Sequence, residues 1–191
     1  PNVTLKINKV RVGAMENIYN AVHECADDDI VVLVDGDDWL PNNHVLKDLN
    51  EAYSSEDVWF THGRLIEYPH GHSNWCEPLK PEAIKNNTYR KFKCPSHLRT
   101  FYAWLFKLIK KEDFMYEGKF LAMTWDMAIM FPLAEMASER HKFMDEINYV
   151  YNMANSINDN KVNPDLQNYL DYVMRNRPPY SRLEKRPEPL N

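Results

Sequence analysis

Glycine is scarce in this chain, with five in 191 residues. No GxGxxG or P-loop pattern occurs among them, so neither the dinucleotide-binding turn nor the Walker phosphate cradle is encoded. Cysteine is sparser still. Cys25, Cys76 and Cys94 are odd in number and include no CxxC pair, which argues against a disulfide framework and fits free thiols in a reducing compartment. No apolar run approaches the roughly 18 residues needed to span a bilayer, and no signal-peptide pattern opens the sequence. A cytoplasmic location is expected, with peripheral association at the cytoplasmic face of a membrane as a further option. Positive charge is also in deficit: 23 Lys and Arg stand against 28 Asp and Glu, a net charge of -5, which argues against a nucleic-acid binder of the basic-patch kind. What is plentiful is apolar and aromatic surface, 44% and 13% of the residues. That suffices for the core of one domain with aromatic-lined pockets. A single domain over residues 1–175 is expected, followed by a Pro- and Arg-rich, poorly ordered tail over 176–191.

Acid, by contrast, is concentrated. The run Ile30-Val31-Val32-Leu33-Val34 leads straight into Asp35-Gly36-Asp37-Asp38-Trp39-Leu40. A short, apolar, mostly β-branched run reads as a strand buried on both faces, as in a parallel sheet. The acids then stand at its carboxyl end, the edge at which open α/β sheets bind ligands. Gly36 lets the backbone turn tightly enough for Asp35 and Asp37 to approach one point. Clustered carboxylates repel unless a cation neutralises them, and a hard divalent cation with oxygen ligands, Mn2+ or Mg2+, is the natural candidate. Alone, Asp-Gly-Asp-Asp reads as a plain turn. The strand ahead of it and the helix start behind it, Pro41 followed by Val45, Leu46, Leu49, Ala52 and Tyr53 at helical spacing, shift the balance toward a metal–nucleotide site.

Elsewhere the pattern is that of an α/β domain. Val3, Leu5 and Ile7 alternate along an extended segment over residues 1–12. Met15, Ile18, Val22 and Cys25 share one face of a helix over 14–26. Residues 57–63 read as the next strand, with 65–68 as its partner. The loop 69–81 is long enough to be functional. Helices are expected over 99–111 and 124–137, the second interrupted by Pro132, then a strand over 142–151 and a closing helix over 165–175.

Several candidates have two readings. His70, His72 and Cys76 hint at a transition-metal site, but their spacing matches no standard zinc pattern and reads as a solvated loop. Cys94, His97 and an acid could form a thiol nucleophile, or be structural. Asp126 is either a first-turn acid, beside Thr124 as an equally good N-cap, or a general base brought to the pocket at a helix N-terminus. Glu112-Asp113 follows Lys110-Lys111 and reads as a charge-balanced surface turn. Arg99 is either a surface residue or a bidentate phosphate clamp. Trp39, Trp75 and Trp104 could stack on sugar rings, or lie in the core.

Taken together, these pieces resemble the family 2 glycosyltransferases. Asn8 to Asn17 resembles the family's Asn-x-Gly-x-x-x-Ala-x-Asn segment, with Gly13 and Asn17 as its matches. Val34 to Leu40 resembles its DxD motif. Leu98 to Lys107 resembles the later Arg-x-x-x-x-x-(Leu/Phe)-(Phe/Arg) stretch. Thr124-Trp125-Asp126 falls where the family carries Glu-Asp, and Tyr151 to Ile157 resembles its closing Tyr-x-x-His-x-x-Ser-(Ile/Val) signature. Trp125 stands in place of the family's Glu and Asn155 in place of its His.

The resemblance implies an α/β, GT-A (Rossmann-like) mixed sheet flanked by helices and metal-dependent, inverting transfer of a sugar. The donor would be a nucleotide-diphosphate sugar, a UDP-sugar above all, and the acceptor a glycan or other hydroxyl. It implies Asp126 as catalytic base, Asp37 and Asp35 as metal ligands, and Asp35, Asp38, Arg99 and Gly13 as donor-binding residues. It further implies a nucleobase-holding unit longer than the 34 residues ahead of Asp35, so the chain reads as N-terminally incomplete. A sugar- or partner-binding module that kept the fold without turnover, and a DxD phosphatase of the haloacid type, are the alternative functions. The phosphatase lacks support in a downstream Gly-Asp-x-x-x-Asp.

Overall fold

The computed structural model describes residues 3–55, 57–71, 76–155 and 163–188. Helix α1 (Ala14–Glu24) leads to strand β1 (Ile30–Leu33), α2 (Val45–Ser55) and β2 (Phe60–Tyr68). Then come α3 (Pro81–Asn86), β3 (Arg99–Tyr102) and α4 (Ala103–Lys107). A two-stranded hairpin, β4 (Met115–Tyr116) and β5 (Lys119–Phe120), precedes α5 (Trp125–Ala137), β6 (His141–Asn152) and α6 (Pro164–Asn176). The main sheet has the order β1-β3-β2-β6. β3 pairs antiparallel with both β1 and β2, and β2 pairs parallel with β6. The molecule is therefore a mixed α/β fold, a mixed sheet flanked by helices.

Both faces of the sheet are covered. On one face lies the larger core, around Phe60, Phe101, Phe106 and nearly the whole of α5, with Val31 and Leu33 packed against it. On the other, Val45 and Leu49 of α2 meet Leu65, Leu98 and Tyr149, and Val32 packs there. The alternation of Val31, Val32 and Leu33 between two cores explains why β1 is apolar on both sides. β1 nevertheless corrects the sequence reading. It is the end strand of the described sheet, only partly buried, and its neighbour is antiparallel. Apolar composition reports two covered faces but not the direction of the hydrogen-bonding partner.

Three further expectations change. Residues 60–68 form one continuous strand instead of two short partners, because β6 runs alongside their whole length. Residues 99–102 are strand and only 103–107 are helical, since Arg99–Tyr102 bridges β1 and β2. Pro132 lies inside α5 without ending it. That helix is apolar on every side and buried almost throughout, as expected of a core helix, and its packing offsets the lost backbone bond.

The tail is docked at least as far as Glu184. Leu183 N–H donates to the Met136 carbonyl (3.0 Å), and Arg140 donates to the carbonyls of Leu183 (3.0 Å) and Glu184 (2.7 Å). Tyr180 N–H reaches Glu135 Oε2 at 2.9 Å. The expectation of a poorly ordered tail missed these bonds because most of them use backbone groups, which composition does not reveal.

β2 and β6 approach closely where Gly63 faces Met144. A Cβ on Gly63 would stand 2.7 Å from the Met144 carbonyl oxygen, beside the irregularity between Gly63 and Arg64. Gly63→Ala is expected to destabilise the domain by about 1–3 kcal/mol, since a backbone atom must move. Urea denaturation checks this, and an unchanged midpoint would show that the strands part freely.

Burial also creates a pH dependence. His62 is 1% exposed, stacked on Phe60 and tilted against His141 at 5.7 Å. Burial, then the charge of His141, pulls its pKa from 6.5 down to about 3. The unfolded chain takes up a proton below pH 6.5 while the folded imidazole refuses it until about 3. Stability from this residue is full above that window and is lost as pH falls through it, by about 2 kcal/mol at pH 5. His62→Phe keeps a ring against Phe60 and removes the titration. Its stability loss between pH 7 and pH 5 should be about 2 kcal/mol smaller than that of wild type; an equal loss would mean that His62 protonates without penalty.

Candidate functional site

Because β3 reverses direction between β1 and β2, the strands β1, β2 and β6 all point the same way. Their carboxyl ends form one edge, where the loop after β1, the end of β6 and the start of β3 meet the N-terminus of α5. A cleft of about 550 Å3 opens there, within the size range of small-molecule sites. Gly13, Asp35, Asp37, Asp38, Arg99 and Asp126 all line it. These six residues come from four separate segments, which the fold brings together at this cleft.

The acidic loop is held by the end of β6. Asp38 N–H closes a turn onto the Asp35 carbonyl at 3.1 Å. Tyr149 Oη donates to Asp38 Oδ2 (2.7 Å) and accepts from Asp35 N–H (3.1 Å). Asn152 N–H donates to Asp38 Oδ1 (2.7 Å), and its side-chain amide donates to the Asp37 carbonyl (3.2 Å). Asn155 Nδ2 donates to the Asp37 carboxylate. Trp39 and Val150 exchange backbone bonds of 3.3 and 2.9 Å, which clamps the far side of the loop to β6.

His97 completes the cluster. It is 4% exposed, stacks on Tyr149 at 4.4 Å, and places Nε2 3.6 Å from Asp35 Oδ2. Among the described residues, Asp35, Asp38 and His97 are the group that could hold a metal ion, with ligand atoms within 4.8 Å of one another. Asp37 lines the same cleft but is not part of that group. Burial pulls the His97 pKa down to about 4, aided by the charge of Arg99 and opposed by Asp35, so at neutral pH the imidazole is neutral and keeps a lone pair for a ligand. Burial works to raise Asp35, but the adjacent His97 imidazole and the Arg99 charge outweigh it, and the pKa lies below the ordinary value. Asp38 is raised by burial, against the pull of Tyr149 and Asn152.

Across the cleft, Asp126 stands at the second position of α5. Arg99 Nη2 donates to its Oδ2 at 3.2 Å, and the guanidinium lies 5.3 Å from the centre of the Trp125 ring. Arg99 is thus a buried residue rather than a surface one, and its Nε has no partner among the described residues. Thr124 does not cap α5 with its side chain. It adopts φ 55 and its hydroxyl donates to the Met123 carbonyl, a strained conformation for a β-branched residue. Gly13, with φ 89, supplies the positive φ needed just ahead of α1.

The remaining candidates separate cleanly. Cys76 is buried in the α2-side core, His70 is exposed, and His72 lies outside the described residues, as do Trp75, Ser156 and Ile157. Burial raises the Cys94 thiol well above its usual value, which disfavours a thiolate nucleophile. Trp104 is core, edge-on to Trp59. Trp39 is 41% exposed. Asp113 is bound by the Tyr180 hydroxyl and is therefore tied to the tail. The sequence offered His97 only as a possible partner of a thiol and did not offer Tyr149 at all; His97 lies in the bend just ahead of β3, and its place beside Asp35 and Tyr149 comes from the packing of that bend against β6.

No protein-family model matches the chain, and no curated protein matches it significantly.

Proposed function

We propose that this chain transfers a sugar from a nucleotide-diphosphate sugar, a UDP-sugar in the first instance, to an acceptor hydroxyl. The reaction would be metal-dependent and inverting, on a GT-A type fold. The observation that carries the reading is the convergence, in one cleft, of the acidic loop 35–38, the buried Arg99 and the carboxylate of Asp126. Arg99, held over Trp125, offers donors to the diphosphate. Asp126 takes the proton of the acceptor hydroxyl as the new bond forms. Asp35, Asp38 and His97 fit a divalent ion, two carboxylates with one neutral imidazole, a donor set that suits Mn2+ better than Mg2+. Such an ion supplies neutralisation of the charge on the leaving diphosphate. No helix among the described residues is long and apolar enough to cross a membrane.

A thermal-shift series with UDP-sugars, with and without Mn2+, tests the reading. A Mn2+-dependent rise in Tm with a nucleotide sugar, followed by turnover, is expected. Binding without turnover would favour a binding module, and no response to any nucleotide sugar would overturn both. The metal ligands are separable by titrating Mn2+ into Asp35→Ala and Asp37→Ala. Asp35→Ala should bind at least about 10-fold more weakly than wild type, as loss of a direct ligand demands. Asp37→Ala should change affinity less, because Asn155 already engages that carboxylate. Equal losses would assign the ion to the Asp35–Asp37 pair, and no loss in either would remove the metal from this loop.

A further inference from the structure

A second cavity, of about 530 Å3, adjoins the first. The two share His97, Arg99, Thr124, Asp126, Tyr151 and Gln167 in their linings, so the Asp126 carboxylate, with a third of its surface exposed, stands where they meet. The first cavity holds the acidic loop. The second runs under α6 and is bounded by Gln167, Asn168 and Asp171 of that helix and by Ser96, Tyr151 and Lys93 opposite. Building on the transferase reading, we propose that this second lobe is the acceptor site and that the acceptor is a neutral saccharide read by the side-chain amides of Gln167 and Asn168.

The lining selects that class. Asp171 is paired with Arg175 through bonds of 2.6 and 3.3 Å, and Arg175 also donates to the carbonyls of Arg90 (2.9 Å) and Phe92 (2.7 Å). Both charges are spent within the protein, leaving the amides of Gln167 and Asn168 as the polar groups α6 turns to the lobe. An amide both donates and accepts, as does each hydroxyl of a sugar, whereas a phosphorylated acceptor calls for a cluster of uncommitted cations; of the three that line the lobe, Lys93, Arg99 and Arg175, Arg99 is paired with Asp126 and Arg175 with Asp171. A lipid acceptor calls for an apolar lining, and beside Tyr151 only Met127 and Cys94 supply one. The helix is a rigid support for this task. Leu170 and Met174 are buried beneath it, and the Asn163 side chain caps its start by accepting from Leu166 N–H at 3.1 Å. Groups on such an element hold their geometry better than loop residues do.

The test reads binding and turnover separately. With UDP and Mn2+ present, methyl β-glucoside, cellobiose and N,N'-diacetylchitobiose are titrated while the side-chain amide NMR signals of Gln167 and Asn168 are followed. At least one saccharide should shift both pairs of signals. Gln167→Leu should weaken its affinity about 10-fold, the scale of one or two hydrogen bonds, and Asn168→Ala should do the same. In transfer assays the same variants should raise the KM for the saccharide about 10-fold while the KM for the UDP-sugar moves less than about twofold. Amide signals that no saccharide shifts, while dodecanol or a serine peptide shifts residues of this lobe, would overturn the proposal. So would equal changes in both KM values. Saccharide binding at these amides without turnover of any nucleotide sugar would leave the saccharide site standing and sink the transferase reading instead.

Discussion

Asp126→Asn is expected to keep donor and metal binding while transfer to an acceptor falls by about 100-fold or more, the usual scale for losing a general base. The substitution preserves the shape of the side chain, and an amide oxygen can still accept from Arg99, whose Nη2 lies 3.2 Å from the present carboxylate. What disappears is the ability to take a proton at the junction of the two cavities. Single-turnover transfer from a UDP-sugar, alongside the thermal shift produced by the donor, separates chemistry from binding. Transfer at the wild-type rate would reduce Asp126 to an anchor for Arg99. A loss of donor-induced stabilisation equal to the loss in rate would show that the carboxylate acts by placing Arg99 for the diphosphate.

The largest effect on stability is expected at Glu135. This residue is fully buried in α5. Its two oxygens accept from Arg90 Nε (2.5 Å) and Nη2 (2.9 Å), and Oε2 also accepts from Tyr180 N–H (2.9 Å). Arg90 is itself only 10% exposed at its side chain and spends Nη1 on the Met174 carbonyl at 2.6 Å. Glu135→Leu would leave the guanidinium buried without its counter-charge and the tail without one of its anchors. Breaking a buried pair from one side costs about 3–5 kcal/mol, a large share of the roughly 5–15 kcal/mol that holds a domain together. The double variant Glu135→Leu with Arg90→Met should recover most of that loss, because replacing both charges by apolar groups removes the stranded ion. Denaturant unfolding of the three proteins checks both statements. A single variant that loses less than about 1 kcal/mol would place Arg90 in contact with water once its partner is gone.

Much of the site was legible because its chemistry is local. Three acids around a glycine, after an apolar β-branched run, mark the carboxyl end of a strand whatever the strand pairs with. The apolar spacings over 14–26 and 165–175 and the largely apolar stretch 124–137 mark three helices, of which the structure makes the third the core helix. The candidates read from the residues, Asp35, Asp37, Asp38, Arg99 and Asp126, line one cleft together with Gly13, which only the family resemblance suggested. Pairing was not legible. The same apolar run in β1 serves an antiparallel end strand as well as a parallel central one, since side-chain burial on two faces says nothing of the backbone partner. The segment starting at Arg99 carries enough apolar residues for a helix, yet its first turn is taken by β3, where bonds to two other strands outweigh local propensity.

The sequence by itself determined where the acids, the buried helix and the strand ends fall along the chain, because each depends on neighbours within a few residues. The tertiary structure alone decided which of those acids carries the imidazole, that Arg99 is a buried partner of Asp126, and that the tail is bound to α5 and β6. Those contacts join residues as far apart as Asp38 and Tyr149 or Arg90 and Met174. They depend on how strands and helices pack over distances that no local pattern encodes. They form only when the burial of two cores compensates the entropy of closing such long loops.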